Sequence, residues 1–264
     1  MVASAMLGLI VLALMTVFNG AQTAFRAGIT QTGVLESGRA VSDLIKSDLE
    51  TMTPSFGVSN GAVNFYANIN SGNPPLVQSL PGSGNLRTNV IENLFILARQ
   101  NRIWTGIGYV VDTTSQPTNS LYRFSMSTNV MAGDPWPLFN IFSNWVFNGA
   151  FTNMSHLMDG VVELRVRAYD TNGTWLNDAW EFNNTNVNNI HFFAPILGVT
   201  GLKMFSNTVP ASVEVELGVL EDRTLQRAES LPNVAQLNYL SNHVGQVHVF
   251  RQRVWIRNVD PSAY

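Results

Sequence analysis

Apolar and polar positions change rhythm twice along this chain. Residues 1–18 read MVASAMLGLIVLALMTVF, and no charged side chain occurs before Arg26. Eighteen helical residues span about 27 Å, close to the hydrocarbon thickness of a bilayer. A cleaved signal peptide would need a basic leading segment and a clear small-residue cleavage site, which are missing. A buried core helix seldom opens a chain with so long an uncharged run, so a membrane anchor fits length and position best. From Gln22 to Met52 no proline interrupts the chain, and Val41, Leu44, Ile45, Leu49 and Met52 recur at helical spacing as one apolar stripe. Glu36, Arg39, Asp43, Lys46 and Glu50 fall on other faces with alternating sign, as on a solvated helix surface. Thr53-Pro54 stops the helix, because proline disfavours helical geometry in the residue before it. The pattern predicts either one helix of about 50 residues whose second half packs on a partner surface, or an anchor followed by a stalk. Periodicity alone leaves both open.

After Pro54 short apolar runs alternate with turn residues, the texture of an antiparallel β domain. Expected strands are Ala62–Ala67, Leu94–Arg99, Gly106–Val111, Leu121–Met126, Val161–Tyr169, Val213–Val219 and Gln246–Arg257. Residues 162–169 alternate strictly, so one face is buried and the other wet. Asp170-Thr171-Asn172-Gly173 follows, and Asn-Gly between strand-like runs is a strong hairpin signal. Residues 223–242 predict one or two short helices, while 68–89, 112–120 and 182–191 read as loops.

Composition narrows the function classes. Of 264 residues only 12% are charged while 45% are hydrophobic, so low hydropathy with high charge, the signature of disorder, is absent. A net charge of −3 argues against a nucleic-acid partner, which calls for a basic face. With no cysteine, disulfides, thiolate zinc sites and cysteine nucleophiles drop out.

Candidate chemistry is sparse. Gly57-Val58-Ser59-Asn60-Gly61 fits G-x-S-x-G, yet a nucleophile elbow needs a strand before the serine and a helix after it, and here that order is inverted. His243 and His248 lie five apart, which suits neither a helix face nor a strand face, and His156 and His191 lack a partner at metal-ligand spacing. Asp170-x-Asn172 begins like a calcium loop but lacks the closing ligands. The expectation is a non-enzyme with no catalytic residue, no cofactor and no metal ligand.

Several stretches resemble a known family. An uncharged segment running into an amphipathic helix and then an antiparallel β domain is the plan of type IV pilin-like proteins. Gly38-Arg39-Ala40-Val41-Ser42-Asp43-Leu44-Ile45-Lys46-Ser47-Asp48-Leu49 resembles the helix end of J-type minor pseudopilins of type II secretion. Val161, Glu163, Leu164, Tyr169, Asp170, Gly173, Trp175 and Trp180 are similar to that family's strand–turn–tryptophan segment, and Pro210 to Leu217 to the strand after it. Ile107 to Val111, Leu121-Tyr122-Arg123 and Phe250 to Asn258 resemble the narrower Verru_Chthon cassette protein C group. The chain departs from prepilins in lacking their glycine and glutamate near the amino terminus, since its first acid is Glu36. The expectation is that the natural start lies upstream, or that the chain is a truncated or unprocessed relative.

The resemblance implies an α+β fold: a long N-terminal helix with a membrane-anchoring first half, packed on an antiparallel β-sheet head, pilin-like. Residues 1–53 would be the transmembrane and amphipathic helix and 54–264 the head. It implies a non-enzymatic minor pilin or pseudopilin subunit of a type II secretion or type IV pilus-like assembly. Met1, Leu7, Leu9, Ile10, Leu12, Leu14, Val17, Phe18 and Phe25 would form the membrane anchor and assembly helix, and Tyr169, Asp170, Gly173, Trp175 and Trp180 the head motif. Implied partners are other pilin or pseudopilin subunits, the inner-membrane assembly platform, and membrane lipid before assembly. The implied location is the cytoplasmic (inner) membrane, single-pass, with an extracytoplasmic head, or the tip of a pilus or pseudopilus. The alternative is a membrane-anchored module that binds a glycan or polymer through Asn-rich loops, Trp175 and Trp180.

Overall fold

The computed structural model describes residues 2–56, 61–70, 75–80, 82, 84–113, 119–128, 134–183 and 189–264; of these, the side chains of 2–5, 7, 9, 10, 23–27, 29–31 and 233 are excepted. In chain order the elements are α1 (Val2–Glu50), β1 (Val63–Ile69), β2 (Val77–Ser79), β3 (Leu86–Thr88), β4 (Glu92–Gln100), β5 (Ile103–Asp112) and β6 (Asn119–Ser127). Then come α2 (Trp136–Phe147), β7 (Ser155–Tyr169), α3 (Asp178–Asn183), β8 (Ile190–Phe192), β9 (Leu202–Phe205), β10 (Ser212–Leu220), α4 (Asp222–Glu229), α5 (Asn233–Ser241) and β11 (Val247–Trp255).

Nine strands form one antiparallel sheet in the order β11-β10-β7-β6-β5-β4-β1-β9-β8, and β2 and β3 pair as a separate small hairpin. The inner strand β4 is buried on both faces from Glu92 to Ala98, which explains its apolar run from Leu94 to Ala98. Leu94 and Ile96 point into a core shared with Phe65, Tyr109 and the end of α1, while Phe95 and Leu97 point into a second core under α2. The first core takes Val41, Ile45 and Leu49 from α1 and Met52 just after it, of which the last three are fully buried. Burying each such side chain stabilises by about 1.5–3 kcal/mol, enough to hold the last turns of α1 on the sheet. The second core is aromatic: Phe142 of α2 lies 5.4 Å from the rings of both Phe95 and Phe124. Gly108 makes that approach possible, since a Cβ there would meet the Phe142 ring at 2.4 Å.

The sheet curls at β7. Its first half pairs with β6 and its second half with β10. Where β6 departs, the chain entering β4 closes the gap: Leu164 N–H donates to Val90 O at 2.9 Å, and Val166 N–H donates to Glu92 Oε2 at 2.7 Å.

The expected α+β plan is therefore corrected to a mostly-β fold. The curled sheet supplies both cores and packs largely on itself. The described side chains of α1 join it only from Val34 onward, and those before Val34 are all exposed. The transmembrane expectation is corrected too: among the described residues no helix is long and apolar enough to cross a membrane. Asn19, Gly20 and Gln22 break the apolar run among its described side chains. The single-pass inner-membrane location, and the reading of α1 as a prepilin-type membrane helix, lose their support with it.

Candidate functional site

The head motif sits at the tip of the β7 hairpin. Gly173 adopts φ +79, a left-handed conformation that glycine takes without strain, and its N–H donates to Asp170 O at 3.1 Å. The Asp170 carboxylate organises the turn. Oδ1 accepts from Asn172 N–H at 2.9 Å and Thr174 N–H at 2.7 Å, and Oδ2 accepts from Trp180 Nε1 at 3.1 Å. That leaves the carboxylate a structural hub, occupied by three donors, with Trp180 held 7% exposed beside Phe192 and Tyr264. The Tyr264 hydroxyl donates to Val209 O, and burial raises its pKa above the ordinary tyrosine range. The motif residues thus come together and divide: Asp170, Gly173 and Trp180 build the turn, while Tyr169 and Trp175 turn toward arginines. Arg253 stacks 3.8 Å from the Tyr169 ring centroid, and Arg167 lies 5.8 Å from that of Trp175.

Beside this turn lies an open cleft of about 630 Å³, lined by Asn172, Thr174, Trp175, Asn177, Asn183 and Tyr264 among others. An aromatic plane with amide groups suits a polyhydroxylated ligand better than a charged one. A second cleft of about 700 Å³ between α4 and α5 carries Arg223, Arg227 and Tyr239.

The expected assembly helix is seen in part. Leu12, Leu14, Val17 and Phe18 are 62, 64, 70 and 64% exposed, and Met6, Val11 and Met15 accompany them. These residues lie on every side of α1, so no single face accounts for them. Met1 and the side chains of Leu7, Leu9, Ile10 and Phe25 lie outside the described residues, as does Ser59.

Other polar clusters went unread in the sequence. His156 pairs with Asp159 at 2.8 Å and His248 with Glu221 at 3.0 Å, but among the described residues no three metal-ligating side chains gather. Lys203 Nζ sits 4.5 Å from the Phe139 ring centroid, and burial lowers its pKa from the usual lysine value. Most extended is a charge ladder across β7, β10 and β11. Its rungs pair Arg167 and Arg253 with Glu214, and Arg165 and Arg251 with Glu216. Alternation along β7 and most of β10 was the available signal, while in β11 only the period of two that sets Arg251 and Arg253 on one face was there to read. Comparison with protein-family models, with curated proteins and with solved structures found no match.

Proposed function

We propose that this chain is a non-enzymatic assembly subunit of a type II secretion or type IV pilus-like machine, joined to neighbouring subunits through the apolar run of α1. The observation that carries this reading is the exposure of Met6, Val11, Leu12, Leu14, Met15, Val17 and Phe18 around a helix that leaves the sheet. Covering these seven side chains is worth about 1.5–3 kcal/mol each as an upper bound. That total, roughly 10–20 kcal/mol, is comparable with or larger than the cost of about 4–15 kcal/mol for immobilising a partner. Contact between α1 runs of neighbouring subunits therefore suffices to drive assembly without help from the head. The family resemblance supplies the kind of machine; the exposed run supplies the physical means.

Sedimentation of the full chain from about 1 to 100 μM tests it. Concentration-dependent oligomers are expected, and a Leu12→Glu, Leu14→Glu, Val17→Glu variant should sediment as a monomer with unchanged melting. A wild-type chain that stays monomeric throughout would sink the proposal.

The second reading is a head that binds a glycan or polymer, favoured by the open cleft at Trp175. Titration with soluble β-glucans and chito-oligosaccharides should then quench tryptophan emission, and Trp175→Ala should abolish the quench. Unchanged emission counts against it.

A further inference from the structure

The edge strand β11 is laid out to receive another strand. It ends the nine-stranded sheet and pairs only with β10 among the described residues, in an unbroken register from Ser212↔Trp255 to Leu220↔Val247. Ile256 N–H donates to Ala211 O at 3.0 Å, which sets the phase of the ladder. In an antiparallel pair, hydrogen-bonded and non-bonded positions alternate. Val254, Gln252, Phe250 and His248 therefore direct their backbone groups to β10, and Val249, Arg251, Arg253 and Trp255 direct theirs outward. No described group accepts those outward amides.

The side chains of the outward set share the face opposite α1. Phe250 and Gln252 turn the other way, Phe250 against Gly38 and Gln252 donating to Ser42 O. On the open face each rung reads positive, negative, positive across three strands: Arg167–Glu214–Arg253 and Arg165–Glu216–Arg251. The charge is not balanced. Glu214 is shared by Arg167 at 3.0 Å and Arg251 at 2.8 Å, while Arg253 has no carboxylate partner among the described residues. Arg253 is held instead by Ser212 Oγ at 2.9 Å and by the Tyr169 and Trp255 rings, at 3.8 and 5.1 Å. Its guanidinium is thus positioned without being neutralised.

We infer that β11 docks an extended, acidic segment of a partner protein as a tenth, antiparallel strand, with carboxylates opposite Arg251 and Arg253 and apolar side chains opposite Val249 and Trp255. Continuing the alternation of sign across the sheet calls for a negative strand next, and opposite charges on facing residues stabilise such a pair. A second copy of β11 is disfavoured as the occupant, because it would set arginines against arginines. The partner pattern is apolar-x-acid-x-acid-x-apolar. This surface lies on the sheet, away from the α1 run, and its occupancy is independent of the assembly proposal.

The test uses the full chain and a fluorescein-labelled Thr-Val-Thr-Glu-Thr-Glu-Thr-Val-Thr peptide, with a control in which lysine replaces both glutamates. Anisotropy should favour the acidic peptide by roughly tenfold or more, and Arg251→Glu with Arg253→Glu should invert that preference. Should the double variant fail to fold, Arg251→Gln and Arg253→Gln singly, which leave exposed neutral side chains, must each weaken binding. Amide exchange gives a signature that plain charge attraction cannot: protection rises at Val249, Arg251, Arg253 and Trp255 and stays unchanged at Phe250, Gln252 and Val254. Equal affinity for both peptides, binding without alternating protection, or a homodimer joined through β11 would each overturn the inference.

Discussion

At the scale of single residues, buried acids decide the behaviour of this head with pH. Glu92 is 1% exposed; its Oε2 accepts the Val166 N–H and its Oε1 has no partner among the described groups. Burial pushes its carboxyl up to about 8, against an opposing pull from the Val166 amide and from Arg165 and Arg167. With a raised acid pKa the folded state holds a proton that the unfolded chain releases near 4.5. Stability on this account is greatest below that value and falls as pH rises through the window up to about 8. Urea midpoints measured from pH 5 to 8 should decline in the wild type and flatten in Glu92→Gln, which keeps the acceptor without the charge. Glu92→Ala should cost about 1–3 kcal/mol or more at every pH, because the Val166 N–H is then orphaned. A midpoint that rises with pH in the wild type but not in Glu92→Gln would refute the assignment.

At the scale of elements, the joint between α1 and the sheet is as much polar as apolar. Asp48 receives Arg123 Nε at 2.8 Å and Nη2 at 3.0 Å, and the Tyr109 hydroxyl donates to the same carboxylate. The Tyr109 pKa is raised above its ordinary range by burial first and by its hydrogen bond to Asp48 second. This ties the last turn of α1 to β5 and β6. Asp48→Ala strands a half-buried guanidinium and should destabilise by roughly 3 kcal/mol, near the lower end for breaking a buried pair because Arg123 keeps some solvent. Calorimetry checks the magnitude, and faster amide exchange confined first to residues 41–50 checks the place.

The helical stripe of Val41, Ile45 and Leu49 was legible in the sequence because one face repeats it, although Met52, expected on the same helix, lies past its end in a bridge to Ala98; the alternation of β7 was legible for a like reason. Other features were not. Helix α2 follows Pro135, opens with Trp-Pro-Leu-Phe and rests on Phe95 and Phe124, so tertiary packing rather than a clean periodicity defines it. Asp48 falls at helical spacing with Val41 and Ile45, on the face that is buried, whereas Asp43 lies on the exposed face; what the spacing does not show is its partner. Its partner Arg123 is a strand residue far along the chain. In the head, Asn172-Gly173 announced the turn, whereas the arginines stacked on Tyr169 and Trp175 come from strands whose pairing only the fold supplies.

At the scale of the whole molecule, the same chain holds a sheet whose core the last turns of α1 complete and, before Val34, a helical extension with little folding role. Described side chains before Val34 are exposed, while Val34, Val41, Ile45 and Leu49 are buried in the core. Residues 1–32 would reach about 48 Å as a straight helix, and a free helix of that length gains its stability from what covers it. Deleting residues 1–32 should therefore leave the melting temperature within about 4 °C of the full chain, because no described core contact is lost. Deleting residues 1–50 removes Ile45, Leu49 and the Asp48 carboxylate together, a loss of roughly 6 kcal/mol or more, comparable with the whole stability of a domain. That second variant should be unfolded or molten by near-ultraviolet dichroism. The first should also lose the concentration-dependent association of the full chain while keeping the β11 edge and its peptide preference, since edge and apolar run occupy separate parts of the molecule. A 33–264 chain that still oligomerises would relocate assembly to the sheet, and one that unfolds would show that the extension packs on the head after all.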